Sequence, residues 1–150
     1  MWVRLVPGGL GRYDHALRAC ELDERFVLAD TSRPEIIAAT IVHEATQARL
    51  CRCGIGYDED VRGRVEAVCL RRELAFAHKL PDGARVREHA LEVLAMPCSS
   101  WTDRASRDRD LEGSVEALRH LGFPNWLVRA LLAIRARHSS QTASPANRRH

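Results

Sequence analysis

Apolar residues recur at strand spacing near the start of the chain and at helical spacing through most of the remainder. Residues 2–6 (Trp-Val-Arg-Leu-Val) predict a short strand, broken by Pro7-Gly8-Gly9. Residues 15–21 and 25–29 are expected to pair as a hairpin around Leu22-Asp23-Glu24, with β-prone Phe26 and Val27 in the second run. Ala16-Leu17-Arg18-Ala19 would also suit a helix, which leaves the start of the first run open. A helix is then expected from near Ser32 to about Cys53. Ser32-Arg33-Pro34-Glu35 has the form of a capping box, and Gly54 supplies a stop. Asp58 is the expected N-cap of a second helix that ends near Leu80, with Val61, Val65 and Val68 as its buried stripe. A third helix is expected over 84–96, turning Val86, Ala90, Val93 and Leu94 inward, with Pro97 as terminator. Residues 98–110 read as a polar loop grading into a helix. Leu111, Val115 and Leu118 mark a fourth amphipathic segment stopped by Gly122, and Pro124 opens a fifth carrying Leu127, Leu131 and Ile134.

These elements define an α+β chain in which a small N-terminal antiparallel β-layer packs on a central helical hairpin, followed by a helical C-terminal half. One domain is expected over 1–138, with a disordered tail over 139–150, where Ser, Thr, Pro and Arg dominate. A chain of 150 residues can bury a real core.

Composition narrows the function classes. Apolar residues make up 45% and charged residues 29%, the balance of an ordinary globular protein. No apolar run approaches the roughly 20 residues that span a bilayer, and residues 1–9 lack a signal-peptide core, so a cytoplasmic location without a membrane partner is expected. The cysteines Cys20, Cys51, Cys53, Cys69 and Cys98 are odd in number and irregularly spaced, which predicts reduced thiols rather than a disulfide framework or a four-cysteine zinc site. The formal charge is +3, and Lys79 is the only lysine among 23 basic residues. Acidic residues interrupt every basic run, which argues against nucleic acid as the main partner.

The chemistry concentrates in the first long helix. Between positions 36 and 48 the side chains are mostly Ile, Val and Ala, and His43 and Glu44 are the only ionisable ones. Such a helix is expected inside the fold, where an unpaired Glu44 would be expensive. Residues 43–47, His-Glu-Ala-Thr-Gln, have the outline of an HExxH metal helix with Gln47 in the place of the second histidine. Positions four apart share a helix face and can reach one ion. Glu44 is rotated from His43 by about 100°, so it can approach a water on that ion without ligating it. Glu66 follows Gln47 at a spacing of 18 intervening residues. His43 lies ~15 Å from the end of its helix and Glu66 ~12 Å into the next at 1.5 Å per residue, so an antiparallel hairpin brings the two together.

The pattern H-E-x-x-Q-x18-E resembles the gluzincin branch of the HExxH metallopeptidases over residues 36–70. The resemblance implies a zincin-like fold with an edge strand upstream, such as 25–29, that aligns an extended peptide substrate. It implies zinc as cofactor, His43 and Glu66 as ligands, Glu44 as catalytic base, and peptide-bond hydrolysis through a metal-bound water. Two positions depart from the family. Gln47 offers a neutral carboxamide, a far weaker zinc donor than imidazole, and Leu70 stands where many relatives carry an aspartate that orients a ligand histidine. These departures raise an alternative function, a catalytically inactive zincin-fold pseudoenzyme that binds a protein or peptide partner. A third reading is a helical module with weak nucleic-acid affinity through Arg129, Arg135 and Arg137.

A purely structural arrangement is the bland counterpart. In it His43 and Gln47 bond to each other, and Glu44 and Glu66 to arginines such as Arg49 or Arg62. Cys69, one turn from Glu66, is a substitute ligand or a small buried hydrophobe. His78 lies too far along its helix, ~18 Å from Glu66, to join the site. His15, His89, His120, His138 and His150 read as surface or tail residues. Arg71-Arg72 and Arg104, Arg107 and Arg109 read as solvated faces.

Overall fold

The computed structural model describes residues 2–7, 11–14, 16–29 and 33–142, with side chains described as far as Ile134. The element order is β1 (Trp2–Val6), β2 (Gly11–Asp14), β3 (Ala19–Asp23), α1 (Glu24–Leu28), α2 (Pro34–Arg52), α3 (Glu59–Ala77), α4 (Ala84–Leu94), a single 3₁₀ turn (Cys98–Trp101), α5 (Asp103–His120) and α6 (Asn125–Thr142). The chain is therefore α+β, a small three-stranded sheet joined to a largely helical body.

The sheet has the order β1-β3-β2. β2 and β3 are antiparallel, with Gly11 opposite Leu22 and Tyr13 opposite Cys20. β1 runs parallel to β3, with Trp2 opposite Ala19 and Leu5 opposite Leu22. The expected all-antiparallel layer is thus corrected to a mixed sheet. The chain places β3 between the two earlier strands, and a central strand can take one neighbour of each sense. All five β3 residues are buried. Side chains alternate across the sheet. Gly11, Tyr13, Cys20 and Leu22 share the face toward α2, where Thr40 and Glu44 approach Gly11. On the opposite face Glu21 binds Arg12 at 2.7 Å and Arg4 at 3.6 Å.

The expected hairpin of 15–21 with 25–29 does not form. Its second run is α1. Asp23 ends β3 and caps α1, its carboxylate accepting from the Arg25 backbone N–H at 2.9 Å and from the Arg25 guanidinium Nε at 3.0 Å. A capped helical turn satisfies these donors locally and overrides the β preference of Phe26 and Val27. The upstream strand that the family resemblance implied at 25–29 is therefore absent, and the strand lying over α2 is β2.

α2 begins at Pro34 with Arg33 as N-cap and no side-chain cap. Ser32, the expected cap, lies outside the described residues. α2 ends in a Schellman pattern: Ile55 N–H donates to Leu50 at 3.1 Å and Gly54 N–H to Cys51 at 2.9 Å, with Gly54 at φ 81°. The second pairing partner, α3, packs antiparallel to α2, since Ala39 of α2 joins Ala77 of α3 in the core while His43 meets Glu73 and Glu66. The expected valine stripe of α3 is only one-third right. Val65 is buried, whereas Val68 is exposed and the buried face reads Arg62, Val65, Glu66, Cys69, Leu70, Glu73, Ala77. Likewise α2 is mostly half-buried, with only Ala39, Glu44 and Ala48 fully inside. α4 closes the core with Val86 and Ala90. α5 starts at Asp103, capped by the Thr102 hydroxyl, which accepts from Ala105 N–H at 3.2 Å. α6 extends to Thr142 and so covers the first residues of the expected tail; residues 143–150 lie outside the described part. No helix among the described residues is long and apolar enough to cross a membrane.

The turn from α3 into α4 depends on Gly83. A Cβ there would overlap the Ala77 carbonyl, a backbone atom that cannot swing aside. Gly83→Ala is expected to destabilise the protein by about 1–3 kcal/mol, read as a lower midpoint in urea unfolding.

Candidate functional site

Four buried or nearly buried ionisable side chains meet where α2 crosses the middle of α3 beneath β2. His43 and Glu44 come from α2; Glu66 and Glu73 come from α3. The heptad spacing of the two glutamates puts them on one helix face, two turns apart. His43 lies between them. Its Nδ1 bonds Glu73 Oε1, and its Nε2 stands 3.3 Å from Glu66 Oε2. Tyr57, from the loop between the helices, donates its hydroxyl to the other Glu66 oxygen.

Glu44 sits on the sheet side of α2. It is 5% exposed, and the Tyr13 backbone N–H donates to its carboxylate. Its Oε2 has no hydrogen-bond partner among the described residues. The site needs a thin strand above it, and Gly11 provides one: a Cβ there would come within 2.7 Å of Thr40 Cγ2 and 3.7 Å of Glu44 Oε1.

The electrostatics follow from burial and proximity. Burial opposes charge on His43, but hydrogen bonds to Glu66 and Glu73 outweigh it and push the imidazole pKa up from 6.5 to about 10. Burial, against the opposing pull of His43 and with the repulsion of Glu66 and Glu73, raises Glu44 from 4.5 to about 7. Glu66 is lowered, because its bonds to His43 and Tyr57 outweigh its own burial. Burial first, then the neighbouring carboxylates, raises the Cys69 thiol to about 12, so it sits in the wall as a neutral small apolar group. Burial likewise raises Cys20 to about 11, with Glu44 adding to the shift. None of the five cysteines is in a disulfide.

The C-terminal half reaches the site through Arg62. This buried guanidinium donates to Asp103 at 2.6 Å, to the Trp101 carbonyl at 3.0 Å and to the Tyr57 carbonyl at 3.3 Å, and it lies over the Tyr57 ring. It therefore fixes the loop that aims Tyr57 at Glu66. Arg109 packs on Trp101, 5.7 Å from its ring centroid, and adds to the positive field on Glu66.

The structure thus brings His43, Glu44 and Glu66 together. Gln47 is half-buried one turn beyond His43 and shares no hydrogen bond with these three or with Glu73. The bland arrangement does not form: Glu66 pairs with His43 and Tyr57, and Arg62 with Asp103. Sequence reasoning missed Glu73, Tyr57 and the Arg62–Asp103 link. Glu73 sits in Arg71-Arg72-Glu73, which reads as a solvated charge run; its heptad spacing from Glu66 was the available signal. Nothing local marks Asp103, which is 41 residues from Arg62.

The donor set can be compared with the geometry that zinc requires. Bonds of about 2.0 Å place neighbouring ligand atoms of a tetrahedral zinc about 3.3 Å apart, the spacing found between His43 Nε2 and Glu66 Oε2. Among the described residues, no group of three or more His, Cys, Asp or Glu side chains is arranged to hold a metal ion. His43 and Glu66 are two donors, fewer than the three or four protein ligands of tight zinc sites. Comparison with protein-family models, with curated proteins and with solved structures finds no match.

The raised groups set a pH dependence for the metal-free protein. His43 contributes stability that is complete below 6.5 and lost as pH rises through about 10. Glu44 acts in the same direction, since the unfolded chain's carboxylate ionises from 4.5 while the buried one stays protonated until about 7, so its contribution is lost across that range. Glu66 opposes them, adding stability above its ordinary value and losing it in acid. The urea midpoint is therefore expected to fall as pH rises from about 5 to about 10, with the His43 ring protonated in NMR titration until pH nears about 10. Glu73→Ala, by stripping one partner from a buried imidazolium, is expected to cost about 2–4 kcal/mol and to move the His43 titration back toward 6.5.

Proposed function

We propose that this chain is a zincin-like metallohydrolase domain that acts on peptide bonds, with His43 and Glu66 as the metal-holding pair and Glu44 as the base. The observation that carries this reading is the 3.3 Å approach of His43 Nε2 to Glu66 Oε2 beside a buried, partly unpaired Glu44 carboxylate. Burial of so many charges is costly in a core whose apolar members are mostly Ala and Val. Perturbed carboxylates in such a cluster are more typical of chemistry than of packing.

A bound divalent ion would supply an acidified water and polarise the scissile carbonyl. The chain's own groups do the rest. With an ion bound in place of the Nε2 proton, Glu73 would hold the Nδ1–H of His43 and leave Nε2 turned to the ion beside Glu66. Tyr57 holds the far oxygen of Glu66 and orients the carboxylate. Glu44, raised to about 7, can accept a proton near neutrality and return it to a leaving amine. Gln47 contributes at most a weak oxygen donor.

A specific observation favours a second reading. Both ring nitrogens of His43 are already engaged by carboxylates, and Gln47 stands where a strong donor is required. This supports a zincin-fold pseudoenzyme that binds a peptide or protein without cleaving it.

Untagged protein is expected to retain a divalent ion weakly, and to lose it and its peptidase activity on dialysis against a chelator. Glu44→Gln is expected to keep the ion and lose about a hundredfold or more in turnover. Absence of both metal and turnover would remove the first reading. A Gln47→His variant that then gains tight zinc binding and peptidase activity would establish the second.

A further inference from the structure

On the face of α2 turned away from His43 lies an open cleft of about 510 Å³, lined by Tyr13, Arg18, Ala45, Ala48, Arg49 and Arg52 among others. The α2 residues at 45, 48, 49 and 52 share one side of the helix, opposite the side that meets α3. Arg18 enters from the turn between β2 and β3. It holds a left-handed backbone at φ 51°, an uncommon conformation for a residue with a side chain. The cleft adjoins the candidate site through Tyr13, which lines it and whose backbone N–H binds Glu44.

What sets these three arginines apart is that they line one cleft and are not among those the fold ties to carboxylates. Arg4, Arg12, Arg25 and Arg62 each form an ion pair. Among the described residues Arg18, Arg49 and Arg52 form none. Three guanidinium groups without an ion pair among the described residues therefore surround a floor of Ala45 and Ala48. Guanidinium forks match carboxylates bidentately, and the apolar floor accommodates the methylene groups between them. The cavity has the volume of a site for a small ligand or a short peptide segment. A nucleic-acid strand fits less well. Arg49 and Arg52 are separated by only ~4.5 Å of helix rise, and Tyr13 is the single aromatic in the lining, whereas strand binding needs an extended basic track and stacking platforms.

We propose that this cleft binds an acidic peptide segment, with its carboxylates held by Arg18, Arg49 and Arg52. As a substrate-side cleft it rests on the hydrolytic reading of Glu44; the binding itself does not. Fluorescence anisotropy with the full chain and labelled Gly-Glu-Glu-Gly, against labelled Gly-Gln-Gln-Gly, tests it. The Glu peptide is expected to bind more tightly and to weaken as salt is raised. Arg49→Gln combined with Arg52→Gln is expected to reduce its affinity roughly tenfold, and Arg18→Gln roughly threefold. These exposed side chains can be replaced without opening the core, and an unchanged thermal midpoint confirms it. Equal binding of the two peptides, indifference to all three substitutions, or stronger displacement by a single-stranded oligonucleotide than by unlabelled Glu peptide would each overturn the proposal. Cleavage is followed separately by mass spectrometry. Binding without cleavage supports the cleft and counts against the hydrolytic reading, whereas cleavage without preference for the Glu peptide does the reverse.

Discussion

A buried imidazole held between two carboxylates of the facing helix is the interaction on which the arrangement of this protein depends. His43 can satisfy both ring nitrogens only when α2 and α3 are in one register, because Glu66 and Glu73 are two turns apart on α3. The fully buried apolar contact across the same hairpin is small, Ala39 against Ala77 with Ile36 and Phe76 partly buried around it, and small side chains discriminate weakly between neighbouring registers. A charged, hydrogen-bonded triad discriminates strongly, since any slip strands a buried charge. The polar cluster thus selects the packing as much as it occupies it.

Around that triad the other elements act as supports at different distances. β2 lies close over α2 because Gly11 presents no side chain, and its Tyr13 N–H takes part of the Glu44 charge. The inter-helix loop brings Tyr57 back onto Glu66, and Arg62 ties that loop to Trp101 and Asp103. The C-terminal half therefore contributes to the position of Glu66 without entering the site. The outer face of α2 remains outside this network, and its arginines line an open cleft without an ion pair among the described residues.

The resulting electrostatics are asymmetric. Glu66 and Glu73 share the positive imidazole, while on Glu44, on the sheet side, burial and like-charge neighbours outweigh the pull of His43 and of the Tyr13 N–H. One group is stabilised as a charge and another held near neutrality within a single cluster, the separation that acid–base chemistry requires. Gln47 limits how far a metal can be part of it, since a carboxamide neither carries charge nor competes with imidazole as a donor.

Much of this was legible in the chain. Periodicity located α2, α3 and α4, and Gly54 and Gly122 marked helix ends that the structure terminates with left-handed glycines. The spacing of His43, Glu44 and Glu66 foretold a shared point, because helix rise and a short loop fix depth along a hairpin. Tertiary structure alone decided the rest. It made residues 24–28 a helix, since Asp23 offered a cap stronger than the β preference of Phe26 and Val27. It placed β1 parallel to β3, a pairing that no local pattern encodes. It drew Glu73 inward and joined Arg62 to Asp103, because a charged residue reads as solvated until the helix facing it is known. Periodicity reports which positions share a face, but only packing decides what that face meets.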